Sequence, residues 1–255
     1  MIRLIAFDMD GTVLNDEKKI LKETKEALEQ AEIYRFDGVR YVLTTNGAGI
    51  YERDSKTCLY EDAIPLSAYL PMLAEVEAYD VMADTFLKGG ALMAKRKRDL
   101  LPRMRLTKEI RDYILSSRQE SQVDYLRERG EDVEKLTINF AYDENGHRID
   151  YDAVWEVLKK YPDVNAVSGG MKNIEITKKG VSKASGLLYL GKKLGIAPEE
   201  MMVFGDSGND LDMIKMAGIG VAMANAEPEV LKAADFVTKS NNENGVGGFL
   251  VSADY

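Results

Sequence analysis

Two carboxylates, Asp8 and Asp10 in Asp8-Met9-Asp10-Gly11-Thr12, stand directly after the apolar run Ile2 to Phe7. Gly11 lets the chain turn there, and the end of a short apolar strand is where open α/β sheets place their ligands. Side by side, the two charges repel by roughly 4 kcal/mol at an effective dielectric of 20. A divalent cation, or a proton on one of them, removes that cost. An EF-hand does not fit, because Gly11 is misplaced for one and no helix precedes it. A second group, Gly205-Asp206-Ser207-Gly208-Asn209-Asp210, also lies between an apolar run and a helical pattern. Its glycines free the backbone to cradle an anion, while Asp206 and Asp210 offer hard oxygens suited to Mg²⁺. Gly-Asp-Ser-Gly also surrounds serine-protease nucleophiles, but the parallel-sheet context and a sole histidine in a polar turn exclude that chemistry. Lys183 opens a helical pattern and is, taken alone, an ordinary solvated charge.

These residues need a scaffold, and both ends of the chain supply one. Ile2 to Phe7 reads as a fully buried strand; a helix through Leu21, Leu28 and Ala31 follows, then a strand over Val39 to Leu43. The last third repeats the pattern: a helix through Ala184 to Leu194, strands at Met201 to Phe204, Ile219 to Ala222 and Phe236 to Thr238, with helices at Asn209 to Ala217 and Pro228 to Ala233. This is the pattern of a parallel α/β sheet. The middle differs: a hairpin over Gly49 to Tyr60, helices through Leu66 to Val76 and Val154 to Tyr161, and strands at Leu136 to Ala141, Val164 to Val167 and Asn173 to Thr177. The expectation is a Rossmann-like parallel-sheet core, residues 1–46 and 180–255, with an α+β cap inserted over 47–179.

Composition narrows the chemistry. In 255 residues there are 43 acidic and 34 basic side chains, a net charge of −9, which argues against nucleic-acid and anionic-membrane partners. One cysteine, Cys58, and one histidine, His147, exclude a disulfide framework and multi-thiol or multi-histidine metal sites. The longest nearly uncharged stretch, Ile64 to Ala74, is about half a membrane span and holds two prolines. A soluble cytoplasmic protein is expected, with no oligomeric state assigned. The one basic cluster, Lys95-Arg96-Lys97-Arg98 with Arg103 and Arg105, reads as a solvated surface.

Taken together, Asp8-Met9-Asp10-Gly11-Thr12, Gly180-Val181-Ser182-Lys183 and Gly205-Asp206-Ser207-Gly208-Asn209-Asp210 resemble motifs I, III and IV of the haloacid dehalogenase (HAD) superfamily. Leu211-Asp212-Met213-Ile214 and Gly220-Val221-Ala222-Met223-Ala224-Asn225-Ala226 are similar to the Cof-type sugar phosphatases with a IIB cap, as is Asn46-Gly47-Ala48. The resemblance implies a Mg²⁺-dependent phosphatase acting on a small phosphorylated metabolite through an aspartyl-phosphate. It makes Asp8 the nucleophile and Asp10 the general acid and base. Asp8, Asp206 and the Asp10 carbonyl would hold Mg²⁺, with Asp210 supporting. Lys183, the Gly11 amide and Asn209, with Thr45 and Asn46, would bind phosphate.

The family also has a motif II threonine or serine after a second strand, followed by a further helix and strand. Here one strand stands where two are expected. Either Thr44 or Thr45 is motif II and the following helix and strand are missing, or Val39 to Ala48 is only the strand that leads to the cap and motif II is gone. The lead-in Ile33 to Gly38 favours the second arrangement. A phospholigand-binding protein with little turnover, and a sugar phosphomutase, are the alternative functions.

Overall fold

The computed structural model describes residues 1–33, 39–88, 90–94, 100–104, 108, 111–112, 118–119, 121–168 and 173–252. The chain forms two compact units, Met1–Leu59 with Ser182–Tyr255, and Tyr60–Val181. The first division falls after Leu59, where the sequence pattern placed it after Asn46. The elements in chain order are β1 (Leu4–Phe7), α1 (Lys22–Ile33), β2 (Tyr41–Thr44), β3 (Gly49–Glu52), β4 (Cys58–Glu61), α2 (Leu66–Val76), β5 (Val81–Leu87), β6 (Gly90–Ala94) and β7 (Arg118–Gln119). There follow α3 (Gln122–Arg129), β8 (Lys135–Phe140), α4 (Tyr151–Leu158), β9 (Val164–Ser168), β10 (Ile174–Lys178), α5 (Lys183–Leu194) and β11 (Met201–Gly205). The chain closes with α6 (Leu211–Met216), β12 (Ile219–Ala222), α7 (Pro228–Ala233), β13 (Phe236–Val237) and α8 (Gly245–Ser252).

The first unit is built on a parallel sheet of order β1-β11-β12-β13. Its central strand Met201–Gly205 is buried throughout, as a strand covered on both faces must be. Val203 and Ala222 pack with Ala184, Leu187, Met213, Ile214 and Val230. Met202, Phe204 and Val221 pack with Val13 and Val246, and the Phe204 ring meets those of Phe7 and Phe249. Parallel pairing of Phe7 with Phe204 ends β1 and β11 side by side, so the loops that begin at Asp8 and Asp206 emerge together.

Here the first strand departs from expectation. All four residues of β1 are half-buried, because β1 lies at an edge of its sheet and pairs with β11 alone among the described residues. β2 instead ladders onto β3 in a separate sheet of order β2-β3-β4. Yet Leu43 of β2 packs on the same cluster as Leu4 and Ala6 of β1. Among the described residues β1 is therefore an edge strand, and β2 pairs antiparallel with β3 rather than beside β1. The helix read from Asn209 begins as a 3₁₀ turn over Gly208–Asp210 before α6.

The second unit is a six-stranded sheet of order β7-β6-β5-β8-β10-β9. Its apolar face (Val81, Ala83, Leu136, Ile138, Ile174, Ile176) packs on Tyr69, Met72, Leu73, Leu126, Val154 and Val157 of α2, α3 and α4. Trp155 is partly buried against this core, edge-on to Tyr151. β5 and β6 carry no clean sequence signal, since Asp84 and Thr85 interrupt the apolar run. Thr85 is satisfied in the core by Tyr69 and Gln122, and Asp84 Oδ2 accepts from Asn139. Cys58 is exposed. Lys95 to Arg98 and Arg105, and the lead-in residues Tyr34 to Gly38, lie outside the described residues. Among the described residues, no helix is long and apolar enough to cross a membrane.

Candidate active site

Residues nearly two hundred positions apart converge at the carboxyl ends of β1 and β11. Carboxylate oxygens of Asp8, Asp206 and Asp210 lie within 4.8 Å of one another. The Lys183 ammonium donates to Asp8 Oδ1 (2.8 Å), Asp210 Oδ1 (2.6 Å) and Asn209 Oδ1 (3.2 Å). Lys183 is held by the start of α5, where Ser182 caps the helix by accepting from the Ser185 amide, and Ser185 Oγ in turn accepts from the Ser182 amide. Asp210 is fully buried, and its Oδ2 accepts the backbone amides of Asp206 (2.9 Å) and Ser207 (3.0 Å). It therefore locks the turn that carries Asp206 while its other oxygen anchors Lys183.

The charges are unequal in their comfort. Burial raises the Asp8 carboxyl above its ordinary range; Lys183 opposes this and Asp210 reinforces it. Burial likewise pushes Asp206 up to about 6, with Asp210 and Asp8 adding repulsion against the relief given by Thr12. Burial alone would lower Lys183, but Asp210 and Asp8 together outweigh it and raise it. The ammonium gains from two carboxylates, whereas Asp8 gains from one ammonium and is repelled by its neighbours. One cation among three carboxylates leaves a deficit of positive charge, and the all-oxygen donor set matches a hard divalent ion.

Asp10 stands apart from this trio. Its carboxylate is exposed and accepts from Lys18 Nζ at 2.7 Å. Gly11 has φ +79°, and a Cβ there would lie 2.4 Å from Asp206 Oδ2, so only glycine lets the two loops close. Thr12 is buried and donates to Asp206 Oδ1 at 2.9 Å. Asn46, at φ 58°, accepts from Asn209 Nδ2 at 3.4 Å, which joins the turn after β2 to the Lys183 cluster. The neighbouring Gly47 sits against the Ser182 carbonyl, 2.2 Å from where a Cβ would be. Thr45 directs its hydroxyl to Thr44 Oγ1 at 3.4 Å.

The structure thus brings together Asp8, Asp206, Asp210, Lys183, Asn209 and Asn46, with Gly11 packed on Asp206. Sequence reasoning assigned no role to Thr12, although it lies within the quoted motif, nor to Asn225, which donates to the Gly11 carbonyl at 2.8 Å. Lys18 carries no pattern that marks it; a loop bond that skips eight residues reveals it.

Comparison with known proteins agrees with this arrangement. The family model of haloacid dehalogenase-like hydrolases matches residues 5–36 and 31–250. The 5-amino-6-(5-phospho-D-ribitylamino)uracil phosphatase YcsE of Bacillus subtilis is 33% identical over 250 residues, covering 96% of this chain and 93% of its own. A crystal structure of a haloacid dehalogenase-like hydrolase from Bacteroides thetaiotaomicron superposes with a TM-score of 0.77 at 25% identity, over 98% of this chain and 99% of that one. A HAD subclass IIB sugar phosphatase superposes with a TM-score of 0.73 at 25% identity over 96% of both chains.

Proposed function

This chain belongs to the haloacid dehalogenase-like hydrolases, and from that premise we propose that it is a Mg²⁺-dependent phosphatase of small phosphorylated metabolites that works through an aspartyl-phosphate. The observation that carries the reading is the Lys183 ammonium bonded to both Asp8 and Asp210 beside Asp206. Asp8 Oδ attacks phosphorus, and the bond from phosphorus to the ester oxygen breaks as Asp10 gives that oxygen a proton. Asp10, now a carboxylate, takes a proton from the water that attacks the aspartyl-phosphate, releasing inorganic phosphate and restoring Asp8. Lys183, Asn209 and the Gly11 amide orient the phosphoryl oxygens.

Asp8 and Asp206, with the Asp10 carbonyl, would hold Mg²⁺, and Asp210 would support them through Lys183 and the Asp206 amide. When bound, the ion neutralises phosphoryl charge that one lysine leaves uncompensated. A covalent, metal-assisted route suits the task, since uncatalysed monoester hydrolysis needs accelerations approaching ~10²¹ and one acid–base group supplies about 10²–10⁴. In this reading the unit Tyr60–Val181 takes the part of the cap, which sets substrate choice, and the comparisons favour a sugar or ribityl phosphate.

Phosphate release from p-nitrophenyl phosphate, then from a panel of sugar and ribityl phosphates, with and without Mg²⁺, tests the proposal. Turnover should require the metal and vanish in Asp8→Asn; an Asp8→Asn protein with wild-type turnover would refute the nucleophile. The uncovered edge of β1 favours a second reading, a phospholigand-binding protein of low turnover. Binding of inorganic phosphate without hydrolysis across the panel would select it.

A further inference from the structure

We propose that Asn225 and Asn241 form a relay that positions the loop carrying Asp8, Asp10 and Gly11 for phosphoryl transfer, an assignment that rests on the function proposed above. From Asp8 to Leu14 the loop is tied to the sheet by the Asp8 amide, which donates to the Phe204 carbonyl at 3.0 Å, and is closed on itself by the Leu14 amide donating to Met9. The Thr12 hydroxyl ties it to Asp206. What fixes its outer side is a chain of asparagines. Asn225 Nδ2 donates to the Gly11 carbonyl at 2.8 Å, and Asn225 Oδ1 accepts the Asn241 amide at 3.0 Å. Asn241 Nδ2 donates to the Leu14 carbonyl at 3.0 Å and to Asp16 Oδ1 at 3.2 Å. Asn242 completes the tie, accepting the Asp16 amide at 3.1 Å and donating to Asp16 Oδ2 at 3.0 Å.

The residue types are matched to the partners. The Asn241 side chain is 5% exposed, and its amide group has two donors facing two acceptors, so neither aspartate nor leucine could replace it. Asn225 is exposed, yet its carboxamide donates to one partner and accepts from another at once. Neither asparagine bonds Asp8, Asp206 or Lys183; both act through the Gly11–Leu14 backbone. The bond to the Gly11 carbonyl sets the plane of the Gly11–Thr12 peptide, which links the phosphate-binding amide to the hydroxyl on Asp206. A shift of about 1 Å in a reacting group costs on the order of 100-fold in rate, so a loose loop is expected to lose turnover before it loses substrate.

Asn225→Asp and Asn225→Ala are the test, because this residue is exposed and the fold should survive its replacement. With p-nitrophenyl phosphate and saturating Mg²⁺, kcat should fall about 10- to 100-fold, KM should stay within about twofold, and orthovanadate inhibition should weaken in step with kcat. The melting temperature should stay within about 3 °C of wild type, equivalent to less than ~1.6 kcal/mol for a chain of this size. Asn241→Asp, which sets a carboxylate against the Leu14 carbonyl and Asp16, should show the same split between kcat and KM. Asn225 variants with wild-type kcat and orthovanadate affinity would overturn the relay while leaving the phosphatase reading intact. Variants whose kcat falls only together with the melting temperature would overturn it as well. Wild-type protein without turnover overturns both.

Discussion

Replacing Lys183 with methionine keeps the length of the side chain and removes the only cation bonded to the acid cluster among the described residues. Two buried ion pairs are broken at once, with Asp210 fully enclosed and Asp8 four-fifths enclosed. Two carboxylates at the observed limit of 4.8 Å repel by about 3.5 kcal/mol at an effective dielectric of 20. Protonation caps the penalty: holding one carboxyl neutral at pH 7.5 costs at most about 5 kcal/mol from an ordinary pKa near 4. The metal-free Lys183→Met protein should therefore lose about 3–5 kcal/mol, the range for orphaning a buried charge. The sign with pH follows. Without the ammonium the Asp8 carboxyl, already raised by burial, rises further above its unfolded value, so the loss is largest at neutral pH and shrinks as pH falls toward 5. Mg²⁺ should restore part of the stability by binding the folded form, but not the turnover. Urea unfolding followed by circular dichroism, in EDTA and in Mg²⁺ at pH 7.5 and 5.0, reads all four values; Trp155 fluorescence would report the other unit. A variant within 1 kcal/mol of wild type in EDTA at pH 7.5 would show that Lys183 does not offset the cluster's charge.

The remaining predictions concern the same loops. Because burial lifts the folded Asp206 carboxyl to about 6, this group holds its proton more tightly in the folded protein than in the unfolded chain between about pH 4 and 6. Its contribution to metal-free stability should fall across that window as pH rises, by no more than about 1–2 kcal/mol once partial exposure is discounted, read as the difference in slope between wild type and Asp206→Asn; an unchanged slope in Asp206→Asn would remove the assignment. Gly11→Ala places a methyl on Asp206 at a left-handed backbone position, so it should cost about 1–2 kcal/mol from backbone strain alone and lower Mg²⁺ affinity, both measurable by melting with and without metal. Lys18→Ala breaks an exposed pair and should change stability by less than about 1 kcal/mol; a larger loss in urea unfolding would mean that the pair bears on the fold.

Legibility in the sequence tracked how locally each feature is determined. β12 and α7 are found at Ile219–Ala222 and Pro228–Ala233, where unbroken apolar residues and an N-terminal proline define them. β5 was hidden because Asp84 and Thr85 are polar residues with hydrogen-bond partners 55 and 37 positions away, which no local window reveals. β1 was read as fully buried from its composition, but strand burial depends on what lies beside it, and among the described residues β1 pairs on one side only. For the site, acids and glycines at turn spacings were visible; Asn225, Asn241 and Lys18 were not, because their roles exist only through backbone atoms or residues of other loops.

That edge position bears on catalysis less than it suggests. The reacting groups hang from β1, β11 and the start of α5, and β1 and β11 are laddered to each other along their whole length from Leu4 to Phe7. Each charged contact in the cluster is made among those three elements. In the arrangement that lacks motif II, what is lost is a hydroxyl contact to the phosphoryl group, a charge-assisted bond worth about 1.5–3 kcal/mol, or roughly 10- to 150-fold in rate. Against an acceleration that can reach ~10²¹ for this class of reaction, that loss lowers turnover without abolishing it. Asn46, tied to Asn209 by its own side chain, already stands beside the cluster. A modest kcat with full dependence on Asp8 and Mg²⁺ is therefore the behaviour that this geometry supports, and a complete absence of turnover would refute the view that the edge position of β1 costs only one phosphate contact.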